Sequence, residues 1–295
     1  MKEPASLRYR VVDVFTTEPL EGNPLAVFPD ASGIEEGIQQ RIARELNLSE
    51  TVFVRPATRS GAAVSLRIFT PATEVKFAGH PTVGTAFVLI DEGVVPRGSE
   101  RFILEELVGP VPIQVEHGER PLIWLTTPPI TFGAAHDPVQ CARLIGLDTK
   151  DLLDIKPEVV SAANPGIFIA VRDRAAVDRA KVDTSVLAAV NAREPEPVLV
   201  FVFAATPEGA YSRMFAPDHG VPEDPATGSA TGPLAAFMIK HGLASGSDGT
   251  RFISEQGVKI GRRSLLHVRI RGDKGSEGID VGGYVTPLID ATMRL

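Results

Sequence analysis

The chain has 295 residues, of which 43% are hydrophobic and 23% charged, and its formal net charge is −7. This composition is typical of a globular protein with room for two domains. The acidic balance disfavours a nucleic-acid-binding surface, which needs concentrated positive charge. No apolar run is long enough for a membrane helix, and the N-terminus lacks the apolar segment of a secretory signal. We therefore expect a cytoplasmic protein with neither nucleic acid nor membrane as a partner.

The cysteine and histidine content limits the chemistry that this chain can perform. A single cysteine, Cys141, excludes a disulfide framework, a CxxC metal site and any mechanism that requires two thiols. The stretch around it looks helical, which predicts a small buried apolar residue. The histidines show no HxxxH or HExxH spacing, and the glycines form no nucleotide-binding motif. We therefore expect no metal and no cofactor.

Hydrophobic patterning predicts alternating strands and helices in the first half. Ile34, Ile38, Ile42 and Leu46 recur every fourth residue, which predicts an amphipathic helix that Asn47 ends. A second helix is predicted over residues 82–90, with Gly93 as its stop signal. Alternating apolar residues and turn signals predict strands around residues 9–15, 25–28, 51–54 and 64–69, and two more between 110 and 124.

Consecutive prolines mark a domain boundary near the middle of the chain. The sequence Thr-Thr-Pro-Pro at residues 126–129 cannot extend a helix or a central strand. The predicted domains are residues 1–127, to which 283–295 can be added, and residues 128–282. In the second domain the predicted helices are near 138–145, 185–191 and 228–241, and the predicted strands are near 167–171, 198–204, 211–215 and 265–270.

Three short matches in the same order predict that the second half repeats the first. Asn23-Pro24 corresponds to Asn164-Pro165, and RIFTP at residues 67–71 corresponds to RMFAP at residues 213–217. HPTVGTA at residues 80–86 corresponds to DPATGSA at residues 224–230. One match could be chance, but three with a nearly constant offset indicate a duplicated fold. This alignment predicts that His80 and Asp224 occupy equivalent points.

Each half contains a helix start that could bind an anion. In the second half, either Asp224 is the N-cap and Pro225 the first helical residue, or Thr227 is the N-cap. The latter leaves the amides of Gly228 and Ser229 free at the positive end of the helix dipole. Residues 79 and 80 could do the same in the first half. Ordinary capping also explains either start alone, but the matched pair favours a site for a small carboxylate.

Glu50 lies in the segment NLSET (residues 47–51), between a predicted helix and a predicted strand. From the residues alone, a carboxylate at such a junction is most simply a solvated surface group. Nothing in the spacing assigns it a role.

Four motifs together, however, resemble one enzyme family. They are GNPLAV at residues 22–27, NLSET at 47–51, FAGHP at 77–81 and DPATGSA at 224–230. In this order they resemble the phenazine-biosynthesis PhzF-like isomerases, and they span nearly the entire chain. The resemblance implies an α+β, diaminopimelate-epimerase-like fold with pseudo-twofold duplication, in which each of two similar domains is a sheet wrapped around a central helix. It also implies a site between the domains and a homodimer.

The resemblance also assigns roles to individual residues. It implies that Glu50 is the general acid/base, that His80 and Asp224 assist proton transfer, and that Gly79, Gly228 and Ser229 bind substrate. Related epimerases use one cysteine from each half, and this chain has none in either loop.

The function implied is a cofactor-independent isomerase that moves a proton within a small cyclic or unsaturated carboxylic acid. Two alternatives remain open: a lyase-type enzyme acting on another acid, or a catalytically silent protein that binds small acids.

Overall fold

The computed structural model describes residues 6–295, and the chain forms two compact units. Unit 1 contains the described residues up to Thr126 together with Gly282–Leu295, and unit 2 contains Thr127–Val281. No helix among the described residues is long and apolar enough to cross a membrane.

The strands are numbered in chain order as follows: β1 Ser6–Val14, β2 Asn23–Phe28, β3 Glu50–Arg55, β4 Val64–Phe69, β5 Glu74–Val75, β6 Arg101–Glu106, β7 Gly109–Glu116, β8 Leu122–Thr126, β9 Thr131–Ala135, β10 Glu158–Ser161, β11 Pro165–Ala170, β12 Leu199–Thr206, β13 Gly209–Ala216, β14 Val221–Asp224, β15 Arg251–Gln256, β16 Ser264–Arg271, β17 Gly278–Gly283 and β18 Val285–Arg294. The α-helices are α1 Glu36–Leu46, α2 Gly79–Asp91, α3 Pro138–Leu144, α4 Arg174–Arg179, α5 Thr184–Asn191 and α6 Gly228–Lys240. Short 3-10 turns lie at Thr149–Asp151, Pro217–His219, Val258–Ile260 and Asp273–Gly275.

Two predicted helices of the first half can be compared directly with the structure. The every-fourth-residue stripe forms α1, and Asn47 ends it in the left-handed region with φ 51°, its N–H bonding to the Ala43 carbonyl. The helix predicted from residue 82 begins earlier, at Gly79. Pro81 is compatible with a first turn, because the missing N–H has no intrahelical partner there. His80 is therefore a helix residue.

Unit 1 is a mixed sheet with α2 packed against it. The strand order is β18-β1-β2-β3-β4-β6-β7-β8, with β5 added to the end of β4; the β2–β3 and β4–β6 pairs are parallel and the others antiparallel. Helix α2 contacts β1, β2, β3, β8 and β18. Gly84 permits this close approach, since a Cβ there would lie 2.6 Å from Leu25 Cδ2 and 2.7 Å from Val14 Cγ2. Helix α1 lies against β3 and β4.

Unit 2 is a second mixed sheet, with α6 as its long helix. Its strand order is β9-β10-β11-β12-β13-β15-β16, with β14 added to β13; the β11–β12 and β13–β15 pairs are parallel. Helix α6 contacts β10, β11 and β16, and α4 lies against β12 and β13. Phe168, Phe201, Phe203 and Phe237 are fully buried in the core on the α6 side.

The two units repeat one plan, as the sequence matches predicted. Strands β18, β1, β2, β3, β4, β6 and β7 correspond in order and direction to β9, β10, β11, β12, β13, β15 and β16. A side-chain motif repeats as well. Arg67 binds Glu74 through Nε and Nη2, and Arg213 binds Glu223 through the same two atoms. The α+β fold with two similar halves is therefore confirmed.

The predicted equivalence of His80 and Asp224 is wrong. Both central helices have 13 residues, and Thr82 and Thr231 donate hydrogen bonds to the carbonyl four residues earlier, at 2.7 and 2.9 Å. This register pairs His80 with Ser229. Asp224 instead ends β14, ahead of the helix. The sequence alignment was out of register because both segments contain a proline followed three residues later by a glycine, and these pairs were matched with each other. Unit 2 also has an additional 3-10 turn before β14, which changes the spacing.

Candidate active site

In unit 1, Glu50 is held at the start of an inner strand. It is the first residue of β3, which runs parallel to β2 with Glu50 opposite Leu25. Its side chain is 17% exposed, so it is not the freely solvated surface group that the residues alone suggested. Asn23 begins β2 and is completely buried. Gly22 precedes it with φ +68°, where a Cβ would collide with the carbonyl of Val14.

His80 connects these two strands to the start of α2. Its Nδ1 lies 3.2 Å from Asn23 Nδ2, and its Nε2 lies 3.4 Å from Glu50 Oε2. The amide nitrogen can only donate, so Nδ1 accepts and a neutral ring carries its proton on Nε2. Burial lowers the pKa of His80 to about 3, so the ring is neutral near pH 7.

The contact between His80 and Glu50 is consequently one between a neutral ring and a carboxyl group. Nε2 is buried and makes no hydrogen bond of good geometry within the described part of the chain. Nε2 therefore lies near the carboxyl group without forming a well-aligned hydrogen bond to it. Among the residues expected from the sequence, the structure brings Glu50, His80 and Gly79 together in unit 1.

In unit 2, Asp224 belongs to a buried hydrogen-bond network. Its Oδ2 accepts from Thr227 Oγ1 at 2.6 Å. Gln256 Nε2 donates to the Asp224 carbonyl at 2.7 Å and to Thr227 Oγ1 at 3.0 Å, and Gln256 Oε1 accepts from the Thr227 N–H at 3.2 Å. Thr227 is the N-cap and α6 starts at Gly228, so the interpretation of Asp224 as the N-cap is wrong.

The loop between Asp224 and α6 is held by a close backbone approach. Gly257 has φ +78°, and a Cβ there would lie 2.6 Å from the carbonyl oxygen of Pro225 and closer still to that of Arg262. Only glycine fits both the conformation and the space. Any side chain at this position would displace the loop that carries Asp224.

Both central helices begin without a side-chain cap. Neither Ala78, the N-cap of α2, nor Thr227 offers a side-chain acceptor to the free N–H groups of its helix's first turn. The helix dipole leaves positive potential at such an end, which favours an anionic group. Ser229 is buried in unit 2 and lies close in sequence to Asp224. It is the second residue of α6, and His80 is likewise the second residue of α2.

Three side chains that the sequence did not single out take part in these arrangements: Asn23, Glu106 and Gln256. Asn23 stands within a recognised motif, but its contact with His80 arises between residues 57 positions apart. Glu106 and Gln256 are the last residues of β6 and β15 and approach α2 and α6 respectively. If the sequence analysis had recognised that these two strands are equivalent, it could have identified Glu106 and Gln256 as a matched pair.

Thiol and metal chemistry find no support in the described residues. Cys141 is buried in the core of unit 2, and burial raises the pKa of its thiol to about 12. Within residues 6–295, no three His, Cys, Asp or Glu side chains are grouped as metal ligands would be.

Comparison with known proteins gives consistent matches. The model of the phenazine biosynthesis-like protein family matches residues 12–291. A trans-2,3-dihydro-3-hydroxyanthranilate isomerase from Pseudomonas chlororaphis is 35% identical over 266 residues, which cover 90% of each chain. A phenazine biosynthesis protein of the PhzF family from Bacillus anthracis superposes with a TM-score of 0.88 at 26% identity, covering 99% of this chain and 100% of that one.

A more distant match shares only the fold. A hydroxyproline epimerase from Agrobacterium vitis superposes with a TM-score of 0.68 at 13% identity and covers 98% of this chain and 93% of that one. The epimerase-like fold expected from the four motifs is thus confirmed.

Proposed function

Since this chain belongs to the PhzF-type phenazine biosynthesis-like family and is an isomerase, we propose that it moves a proton within a small cyclic or unsaturated carboxylic acid, with Glu50 as the general acid/base. The observation that carries this proposal is the neutral His80 held between Asn23 and Glu50. The name of the Pseudomonas relative suggests a dihydro-hydroxyanthranilate as the first substrate to test.

The proposed reaction needs only one carboxylate and is balanced without an external reagent. Glu50 takes a proton from a carbon next to a double bond, and the C–H electron pair moves into the conjugated system. The resulting carboxylic acid then gives this proton, or one that has exchanged with solvent, to another carbon of the same molecule, and the double bonds shift. Positioned general acid/base groups typically contribute about 10²–10⁴-fold to such rates.

His80 has a supporting role in this proposal. A neutral imidazole with its proton on Nε2 can donate a hydrogen bond to the substrate or to Glu50 without competing for the transferred proton. An imidazolium would instead stabilise Glu50 as the anion and weaken it as a base. Because burial keeps the pKa of His80 far below neutrality, this role does not change across the physiological pH range.

The helix starts and Asp224 are proposed to bind the substrate. The uncapped first turns at Gly79 and Gly228 suit a carboxylate and the negative charge that develops when the C–H bond breaks. Asp224, fixed by Thr227, can accept a hydrogen bond from an amine or hydroxyl, and Ser229 can donate one. That residues of both units serve a single substrate, in a cleft between the units, is part of the proposal and rests on the family resemblance.

The chain is also proposed to form a homodimer, on the same resemblance. Light scattering at micromolar concentration is expected to give twice the chain mass of 31.5 kDa. A monomer mass would reject the dimer and would leave the proposed chemistry unaffected.

The test is proton exchange at carbon in heavy water. Trans-2,3-dihydro-3-hydroxyanthranilate and a panel of cyclic amino and hydroxy acids are incubated with the protein, and NMR follows isomerisation and deuterium uptake. The Glu50→Gln variant should lose turnover by about 10²–10⁴-fold, because an amide cannot take up the proton. Glu45→Gln, a matched change at an exposed carboxylate of α1, should retain it. Equal turnover by a folded Glu50→Gln variant and the wild type would reject Glu50 as the base.

A further inference from the structure

Glu106 is a buried acidic residue that packs beside the start of α2 and that the proposed reaction does not use. It is the last residue of β6 and is 4% exposed. Its Oε1 lies 2.5 Å from Thr82 Oγ1, and that hydroxyl oxygen lies 2.7 Å from the carbonyl oxygen of Ala78. This network connects Ala78, the N-cap of α2, with Thr82 in the first turn of the helix. Gly79 and His80 lie between these two residues in the chain.

The number of protons in this network favours a protonated Glu106. Each of the two short oxygen–oxygen contacts of Thr82 needs a proton, and the hydroxyl supplies only one. The counterpart Thr231 uses its proton on the carbonyl of Thr227, at 2.9 Å. If Thr82 does the same with Ala78, the second proton must come from the carboxyl group. Glu106 is then a neutral acid that donates to Thr82.

Unit 2 carries a neutral donor in the equivalent place. Gln256 ends β15, the counterpart of β6, and approaches the N-cap of α6 as Glu106 approaches that of α2. Its Nε2 donates to Thr227 Oγ1 at 3.0 Å. An amide is always uncharged and always a donor, which is what the proton count requires of Glu106. The duplicated fold thus places the same hydrogen-bonding capacity at both helix starts.

We propose that Glu106 is a positioning residue that acts as a neutral carboxylic acid and fixes the first turn of α2, and with it Gly79 and His80, by donating a hydrogen bond to Thr82. Its importance for turnover rests on the proposed function of the Glu50–His80 site. Its protonation does not rest on that function.

The surroundings of Glu106 favour the neutral form. Oε2 is buried and makes no hydrogen bond of good geometry, a costly arrangement for an anion. Burial raises the pKa of Glu106 to about 8, although Thr82 and the backbone of Ala78 oppose this in part.

No charged neighbour stabilises the anion of Glu106. The ionisable groups on β4, β6 and α2 and in the segment before α2 are Arg67, Arg101, Glu105, His80, Asp91 and Lys76. Arg67 binds Glu74, and Glu105 binds Thr58 and Arg59. Among the described residues none of these groups forms an ion pair with Glu106.

The raised pKa has a definite consequence for stability. Between the ordinary pKa of 4.5 and the folded-state value of about 8, the folded protein keeps a proton that the unfolded chain has released. Stability must therefore fall as pH rises through this window and level off above it. Glu106→Gln supplies the donor without a titratable proton and should remove this part of the slope.

The first experiment measures urea unfolding from about pH 5 to about pH 9 for the wild type, Glu106→Gln and Gln256→Glu. The midpoint of the wild type should decline relative to that of Glu106→Gln up to about pH 8 and then run parallel to it. Gln256→Glu places a carboxyl group at the unit 2 position and should steepen the decline. Identical slopes for wild type and Glu106→Gln would overturn the proposal, as would an unchanged slope for Gln256→Glu.

The second experiment measures kcat and KM across the same pH range. Wild-type kcat should fall above about pH 8, Glu106→Gln should stay within about threefold of the neutral-pH wild type throughout, and Glu106→Leu should lose at least about tenfold in kcat with a smaller change in KM. Leucine is also uncharged, so it separates the loss of the donor from the loss of charge. Equal kcat for the Gln and Leu variants would reject the positioning role.

The two arms fail separately. If Glu106→Gln removes the pH dependence of stability, the neutral acid is supported, whether or not a tested substrate turns over. A lack of turnover would count against the proposed function only. Turnover together with an unaltered slope rejects the neutral acid and leaves the isomerase function standing.

Discussion

The two units are built on one plan but differ in chemistry at equivalent positions. The first residue of β3 is Glu50, whereas the first residue of β12, its counterpart, is the buried Leu199. The second residue of the central helix is His80 in unit 1 and Ser229 in unit 2. Unit 1 therefore carries a carboxylate and an imidazole where unit 2 carries an alkyl group and a hydroxyl.

This difference shows how a duplicated fold can be specialised. Duplication supplies two uncapped helix starts, which suit anion binding in either unit. Racemisation by two opposed bases at these equivalent positions would need a titratable group at both of them, and Leu199 cannot take up a proton. A single proposed base is consistent with a proton that leaves and returns on one face of the substrate.

The largest expected effect comes from copying the unit 2 residue into unit 1. Glu50→Leu should lose at least about 10²–10⁴-fold in turnover, since the proton acceptor is gone. The matched control Leu199→Met should retain turnover and cost less than about 1.5 kcal/mol in stability, because the volume is nearly conserved. Heavy-water exchange and urea unfolding measure the two quantities. Turnover that survives Glu50→Leu would remove the proposed chemical difference between the units.

Each unit has a bidentate arginine–glutamate pair, which we call an arginine fork: Arg67 with Glu74 in unit 1 and Arg213 with Glu223 in unit 2. The two forks should differ in their importance for stability. Arg213 Nη1 also donates to the carbonyls of Val177, Asp178 and Ala180, whereas Arg67 Nη1 binds the exposed Glu36. Arg213→Met should cost about 3–5 kcal/mol, because it leaves the largely buried carboxylate of Glu223 and three carbonyl acceptors without their donor.

Arg67→Met should cost roughly 1 kcal/mol, because the Arg67 fork is more exposed to water. Urea unfolding of both variants gives the comparison. Equal losses would mean that the two forks are energetically as well as geometrically equivalent.

His80 should make unit 1 sensitive to acid. Its pKa is lowered from 6.5 to about 3, so between these values the unfolded chain binds a proton that the folded protein does not. Stability should fall as pH decreases through this window, by about 2 kcal/mol from pH 7 to pH 5. His80→Ser, which copies Ser229, should show a smaller loss over the same range. A variant with the same acid slope as the wild type would argue against a neutral, buried His80.

The smallest effect on turnover is expected at Cys141, the one thiol of the chain. Because burial raises its pKa to about 12, the native protein should resist alkylation near pH 8. Cys141→Ala should leave turnover within about twofold and cost about 1–2 kcal/mol through lost packing. Mass spectrometry after iodoacetamide treatment checks the first point. Rapid alkylation coupled to inactivation would return thiol chemistry to consideration in unit 2.

Much of the fold could be predicted from the sequence, because its signals are local. The stripe ending at Leu46 predicted α1, Asn47 predicted where it ends, and the matched Arg-x-Phe segments predicted equivalent strands. The four motifs predicted the family and the isomerase class, and both are confirmed. The roles of Glu50, His80, Asp224 and the glycines came from the same motifs and stay predictions.

The contacts that define the site were decided by tertiary structure. Asn23 reaches His80, and Glu106 reaches Thr82, only because strands and helix from distant segments pack together. Burial then changes the chemistry of these groups by excluding water, lowering the pKa of the imidazole and raising that of the carboxyl group. Hydrophobic periodicity and turn residues act over a few positions and can specify the elements by themselves. Which polar groups lose their water, and which of them share a proton, depends on the packing of the whole unit.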